Sequence, residues 1–405
     1  MLRKFLVVLA LGAVFAGHDF FASGVMPPAF ADEEIENLKS EMQSMRETIT
    51  QLQQTIGHMQ DVIQKYEAAP PAAVSAAPTP SSGGEVAELR HEMEGFKDVM
   101  DKLPKISGYY DFEWHADDQG DSTNTFKQHH LSLFLDKRLE KWHMFSEVEF
   151  EYAFDYAGDG GAVTGSGEAK VETGWLEYNR SDLENIRFGK LIIPQYWSVN
   201  HYPSVIVSTS RPLMNETIIP FDTTGVMVYG THYFPNEWGA GYNVFVGNGE
   251  GSARSETDNN NNKVFGGKLT AHIPVFDRFD VAGLTYIGEN GDNNSETMWG
   301  AETQVDIADF AFQAEVAHNS NQRQFGYYLQ PSYRFLPKWT TFYRWDRLDV
   351  NKEIDDAADA SSHTVGLRYQ PLPAISLKGE LYHKMPDDQT LERVNGLISS
   401  VVIFF

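Results

Sequence analysis

His129 and His130 stand side by side, and two imidazoles near a carboxylate make a transition-metal donor set. Neighbours on a regular strand point to opposite faces, so the pair is expected to supply polar wall residues and not two ligands to one ion. Acidic runs at Asp117, Asp118 and Asp121, and at Asp355, Asp356 and Asp359, offer the carboxylate oxygens that calcium takes, but neither has EF-hand spacing. Solvated loops are the expectation for both. The stretch GDGGAVTGSG is glycine-rich yet lacks the Lys-Ser/Thr of a phosphate-binding loop, and a flexible surface loop is expected there. Cysteine is absent, which removes thiolate metal sites, cysteine nucleophiles and disulfides. No arrangement of Ser, His and Asp points to a nucleophile. The sequence predicts no catalysis, no cofactor and no bound metal.

The chemistry that remains is fixed charge on alternating positions. In ISGYYDFEWHA, Ile106, Tyr110, Phe112 and Trp114 share one face, while Ser107, Tyr109, Asp111, Glu113 and His115 share the other. In MFSEVEFEYAFDY, Met144, Val148, Phe150, Tyr152, Phe154 and Tyr156 oppose Glu147, Glu149, Glu151 and Asp155. A soluble barrel points its apolar face inward; here the aromatic face is suited to lipid and the charged face to a lumen. Asp111, Glu113, Glu147, Glu149, Glu151 and Glu172 are therefore expected to line a pore as an acidic wall. The same alternation places Arg334, Arg344, Arg368 and Lys378 on four later strands as a basic wall, since Phe325, Tyr327, Leu329, Tyr333 and Phe335 would face lipid. Arg344 and Arg368 are then candidates for an anion-attracting path. The competing expectation is that such arginines pair with wall carboxylates, Arg344 with Asp346 for example.

The elements that must position these charges follow from the turns. About sixteen segments of roughly ten residues, the strand length of an outer-membrane barrel, are separated by connections that alternate short and long. The short ones are RLEK, SDLE, FPNEW, VFD, IAD, LPK and PLP; the long ones are polar. Short periplasmic turns and long extracellular loops predict an all-β fold, an outer-membrane antiparallel β-barrel over 105–405. Trp142, Phe234, Trp238, Phe276, Phe279, Phe310, Phe335 and Trp339 beside the short turns would form an interfacial girdle. The final LISSVVIFF reads as the closing strand paired to the first, because an unpaired apolar edge would aggregate. One connection, 194–223, is far longer than the ~15 residues at which loops are usually functional or disordered. Its Val205, Ile206, Val207, Ile218 and Ile219 argue against disorder. Folded inward, it would be a constriction loop carrying Tyr202, Val205, Arg211, Asn215 and Glu216.

Ahead of the barrel, residues 1–31 read as a secretory signal peptide, with basic MLRK, a short apolar core and AFA at a cleavage spacing. Residues 32–67 carry an a/d seam from Ile35 to Tyr66, a periplasmic coiled coil. A Pro/Ala/Ser/Gly linker spans 68–84, and heptads resume over 85–104 until Pro104 stops them. No stretch after the signal is apolar for the ~20 residues of a spanning helix, so membrane insertion must use strands. The formal charge of −25 excludes a nucleic-acid partner, which demands a basic footprint.

The chain resembles the phosphate-selective porin O and P family of outer-membrane channels. The carriers are WLEYN at 175–179, IRFGKLIIPQYW at 186–197, RPLMNETIIPFDTTGVMVYG at 211–230, YNVFVGNGEG at 242–251 and LRYQPLPAISLKGELY at 367–382. The resemblance covers the barrel in order and leaves out the coiled-coil front. It implies passive diffusion of small hydrophilic solutes or ions, phosphate and other anions among them, through a homotrimer set in outer-membrane lipid; the alternation of short turns and long loops places both termini, and so the N-terminal region, on the periplasmic side. Selectivity in that family rests on lysine and arginine arrays, none of which is transferred here to an individual position. The alternative reading is a structural tether that reaches the cell wall through the coiled coil, with a barrel enzyme acting on lipid as a third.

Overall fold

The computed structural model describes residues 103–120, 124–152, 167–215, 217–249, 261–289, 294–351 and 359–405. The signal peptide, coiled coil and linker, almost all of the second helical segment, all but the last residue of the GDGGAVTGSG stretch, Asp121, Asp355, Asp356 and Glu216 lie outside the described residues.

The described chain is a closed antiparallel barrel of sixteen strands. They are β1 (Lys105–Asp117), β2 (Thr125–Leu139), β3 (Trp142–Glu151), β4 (Glu168–Ser181), β5 (Glu184–Ile192), β6 (Asp222–Tyr233), β7 (Gly239–Asn248) and β8 (Lys263–His272). The circuit continues through β9 (Arg278–Glu289), β10 (Ser295–Ile307), β11 (Phe310–Asn319), β12 (Gln324–Leu336), β13 (Trp339–Asp349), β14 (Ala360–Leu372), β15 (Ile375–Pro386) and β16 (Val394–Phe404). One short helix, α1 (Tyr196–Asn200), lies between β5 and β6. Every strand pairs with its sequence neighbours, and β16 closes on β1 in the register Tyr109↔Phe404 to Asp117↔Gly396. Phe405 and Gly108 exchange backbone hydrogen bonds of 2.8 and 2.9 Å, so the apolar C-terminal run is a paired closing strand. Closure leaves no open edge in the sheet.

The seven short connections fall where the turn residues predict, at one end of the barrel, and the eight longer ones fall at the other. Alternation is equally legible along the strands. In β10, Glu296, Met298, Gly300, Glu302 and Gln304 are buried or nearly so toward the interior, while Thr297, Trp299 and Ala301 are exposed on the outside. Leu269, Val244, Val365 and Leu381 are more than half exposed on that outer face, as a lipid-facing belt requires. Trp142, Phe234, Trp238, Phe276, Phe310 and Phe335 are exposed beside the short turns, and Trp339 there stacks on Tyr369 at 4.3 Å.

Two irregularities matter for the interior. The β1/β2 register shifts between Asp111 and Phe112, leaving His129 as an extra residue, and the β3/β4 register shifts between Glu147 and Val148, leaving Glu172 as another. A bulge re-aims side chains that strict alternation would separate. His129 and His130 consequently both meet interior groups, with ring centroids 3.8 Å apart, which corrects the expectation that they occupy opposite faces. Glu172 and Thr173 are likewise both buried.

Candidate pore constriction

The segment 193–221 folds into the barrel interior. Its Ile193, Trp197, Met214, Ile218, Ile219 and Phe221 are buried, and five of them pack with Leu191, Met227, Phe245, Val264, Leu284, Tyr286, Met298, Ala317, Tyr328 and Leu348 from the strands. The inner face of β6 to β13 is thus locally apolar where the segment covers it. Burial of each such side chain contributes roughly 1.5–3 kcal/mol. Gly326 is glycine for this reason: a Cβ there would lie 2.7 Å from Met214 Cβ and 3.0 Å from Ile218 Cδ1.

Polar anchors fix the rest of the segment. The first amides of α1 have no partner within the helix. Tyr196 N–H donates to Glu302 Oε2 at 2.9 Å, and Trp197 N–H donates to Glu315 Oε1 at 3.0 Å. Tyr328 Oη also donates to Glu315, and Gln313 Nε2 donates to Tyr196 Oη at 2.7 Å. Further along, Glu380 on β15 accepts the amides of Thr209 and Ser210, and Asp346 on β13 accepts that of Leu213 at 3.2 Å. Neither Glu302, Glu315 nor Glu380 was singled out by the sequence, because nothing local marks a wall carboxylate as an anchor for a segment more than a hundred residues away.

Of the four bases, Arg344, Arg368 and Lys378 point to the inner segment and Arg334 does not. Arg344 is buried and donates to Asp346 Oδ2 at 2.8 Å, to Ser210 O at 2.7 Å, to Ser210 Oγ at 2.7 Å, to Ser208 Oγ at 3.2 Å and to Arg211 O at 3.2 Å. Lys378 donates to Ser208 O at 2.8 Å. Arg368 donates to Ser204 O at 2.9 Å and to Ser376 Oγ at 2.9 Å. Arg334 is exposed at the short-turn rim, where it pairs with Asp309 at 2.7 Å. Three of the four bases therefore hold the inner segment against the wall, and the anticipated Arg344–Asp346 pair is present.

The acidic residues gather on β1 to β4. Asp111, Glu113, Glu147, Glu149 and Glu172 are buried and Glu151 is half-buried. Glu149 accepts from Tyr109 Oη and Ser132 Oγ, each at 3.1 Å. Lys170 lies 3.2–3.4 Å from Glu149, Glu151, Glu168 and Glu172 at once, one cation among four carboxylates. Glu113 contacts His115 at 2.6 Å and His129 at 2.9 Å. Sequence reasoning missed Lys170, although its inward register next to Glu172 was readable.

Of the constriction-loop residues, Tyr202 packs edge-on against Tyr109 and Phe134, at 6.3 and 5.6 Å between ring centroids. Val205 is exposed and Asn215 is buried, its amide donating to Pro212 O at 3.0 Å. Arg211 is exposed at its side chain.

No protein-family profile matches the chain. An uncharacterized protein of Aquifex aeolicus (strain VF5) is 22% identical over 334 residues, 68% of this chain and 74% of that protein. The barrel is similar in structure to the anion-selective porin from Comamonas acidovorans, with TM-score 0.56 and 14% identity over 75% of this chain and 99% of that one. It is also similar to Salmonella typhi OmpF in complex with daunomycin, with TM-score 0.57 and 11% identity over 76% and 99% of the two chains. Pseudomonas putida OprB gives TM-score 0.57 and 11% identity over 78% and 97%. At these identities the likeness concerns the fold.

Proposed function

We propose that the chain is a non-enzymatic outer-membrane channel for passive diffusion of small hydrophilic solutes and ions, narrowed by the inward-folded segment 193–221. One observation carries this reading: a closed sixteen-strand barrel with an apolar outer belt encloses a charged interior across which that segment is pinned. The porin-like architecture supports it, and the sequence resemblance to the phosphate-selective O and P family points the same way. Trimeric assembly in outer-membrane lipid, with the N-terminal region in the periplasm, belongs to the same proposal.

For ionic preference we favour cations. Arg344, Lys378 and Arg368 spend their donors on carbonyl and hydroxyl groups of the inner segment and wall, whereas the β1–β4 wall gathers the carboxylates of Glu149, Glu151, Glu168 and Glu172 around the Lys170 ammonium. Rings and rows of carboxylates serve cation pathways. The second reading, phosphate or other anions, is supported by Arg211 and Lys378 lining one interior cavity. The zero-current potential of the purified chain in a KCl gradient decides between them: a potential of cation-preferring sign is expected, and one of anion-preferring sign would establish the second reading.

A further inference from the structure

We infer that the interior wall carries a divalent transition-metal site formed by Asp111, His129 and His130. The bulge in β2 is what assembles it, since without the extra residue the two imidazoles would point to opposite faces. The ligand atoms of the three side chains lie within 4.8 Å of one another. Asp111 Oδ2 is 3.4 Å from His129 Nδ1 and 3.8 Å from His130 Nδ1. Bonds of 2.0–2.2 Å to a tetrahedral ion place its ligands roughly 3.3–3.6 Å apart, so Asp111 already stands near the required separation from each imidazole.

A second, independent feature marks the place. His130 is 4% exposed, and neither of its ring nitrogens has a hydrogen-bond partner; Asp111 Oδ1 is buried without one as well. Buried polar atoms are normally satisfied, and each orphan calls for an explanation such as an ion. An ion bonded to His130 Nδ1 answers for that nitrogen, and bidentate binding by the Asp111 carboxylate answers for Oδ1. Binding displaces the proton that His129 Nδ1 shares with Glu113 Oε1 at 2.9 Å, and that proton leaves to solvent while Glu113 stands by as a further oxygen donor. Glu149, 3.9 Å from His130 Nε2, is placed to orient the ring from behind. Lys378 and Arg211 line the adjoining cavity, and Asp111, Glu113 and Glu149 offset them.

Two imidazoles and a carboxylate suit Zn²⁺, Ni²⁺ and Cu²⁺, and they do not suit Ca²⁺ or Mg²⁺, which take oxygen ligands. The ion would sit against the inner segment near Thr209 and add positive charge to the acidic wall. The test uses the purified full chain in detergent and reads binding alone, so failure of the channel reading leaves it intact. Equilibrium dialysis against Zn²⁺ should lose one equivalent per chain in Asp111→Asn and in His130→Gln, and keep it in His383→Gln, whose histidine pairs with Asn395 outside the cluster. Cu²⁺ added to the unaltered chain should show electron-paramagnetic coupling to two imidazole nitrogens at a site that Zn²⁺ displaces. Zn²⁺ stoichiometry indifferent to Asp111→Asn and His130→Gln, or a Cu²⁺ spectrum without paired imidazole coupling, would overturn the assignment.

Discussion

Arg344 and Asp346 sit two residues apart on the inner face of β13, joined by a 2.8 Å bond from Nε to Oδ2, and each holds the inner segment by a different chemistry. The guanidinium donates to carbonyl and hydroxyl groups of Ser208, Ser210 and Arg211, while the carboxylate accepts the Leu213 amide. Both side chains are at most 2% exposed. The pair neutralises itself and still presents donors and an acceptor to the segment. A single unpaired charge in this position would be costly to bury.

Arg344→Met should therefore be severe, because it strands Asp346 and releases the carbonyls the guanidinium satisfies. Removing one partner of a buried pair costs about 3–5 kcal/mol. The cost should fall on the inner segment, giving larger and noisier single-channel currents with normal heat-modifiable mobility of the barrel. Arg344→Met with Asp346→Asn should recover part of the loss, since no charge is left alone. Unaltered currents in the single variant would show that the segment does not depend on this anchor.

Gly326→Val tests the apolar side of the same packing. The new Cβ would meet Met214 Cβ at 2.7 Å and Arg347 O at 3.1 Å, one a side-chain root and the other backbone, so neither can swing away. Overpacking of this kind costs about 1–3 kcal/mol. A lower urea midpoint by tryptophan fluorescence is expected, with buried Trp197 among the reporters. An unchanged midpoint would mean that the segment packs elsewhere.

The long-connection end offers a pH prediction. Asp387, just beyond β15, is held below the usual carboxylate range by its hydrogen bonds to Arg347, 2.5 Å from each of two guanidinium nitrogens. A carboxyl whose folded pKa is depressed contributes its stabilisation in full above its unfolded value and loses it as pH falls through the folded one. Hydrogen exchange over 387–393 should thus be slow at neutral pH and rise only below the ordinary carboxylate range. Asp387→Asn should exchange rapidly at neutral pH. Slow neutral exchange in that variant would show the pair has no role in ordering the connection.

Most of the barrel was legible in the sequence because its two signals are local. Period-two alternation assigned Asp111, Glu113 and Glu147 inward, and turn residues such as those of SDLE and PLP marked the strand ends. The bulges were not legible, since an extra residue in one strand is defined only by the register of its partner. That is why alternation separated His129 from His130, and why Trp175 and Glu177 take the inner face although counting by twos from Glu172 would assign it to Gly174 and Leu176. The length and apolar content of 194–223 showed that it should fold inward. They could not show that Arg344, Arg368 and Lys378 would be its anchors, because that depends on contacts spanning 134 to 170 residues.

Single-channel conductance in planar bilayers tests the central claim most directly, comparing the full chain with a variant in which 205–215 is replaced by a short Gly-Ser bridge. A channel constricted by its inner segment predicts discrete current steps from the full chain and larger steps from the variant. A full chain that inserts without current steps, or a folded variant with steps of the same size, would contradict it.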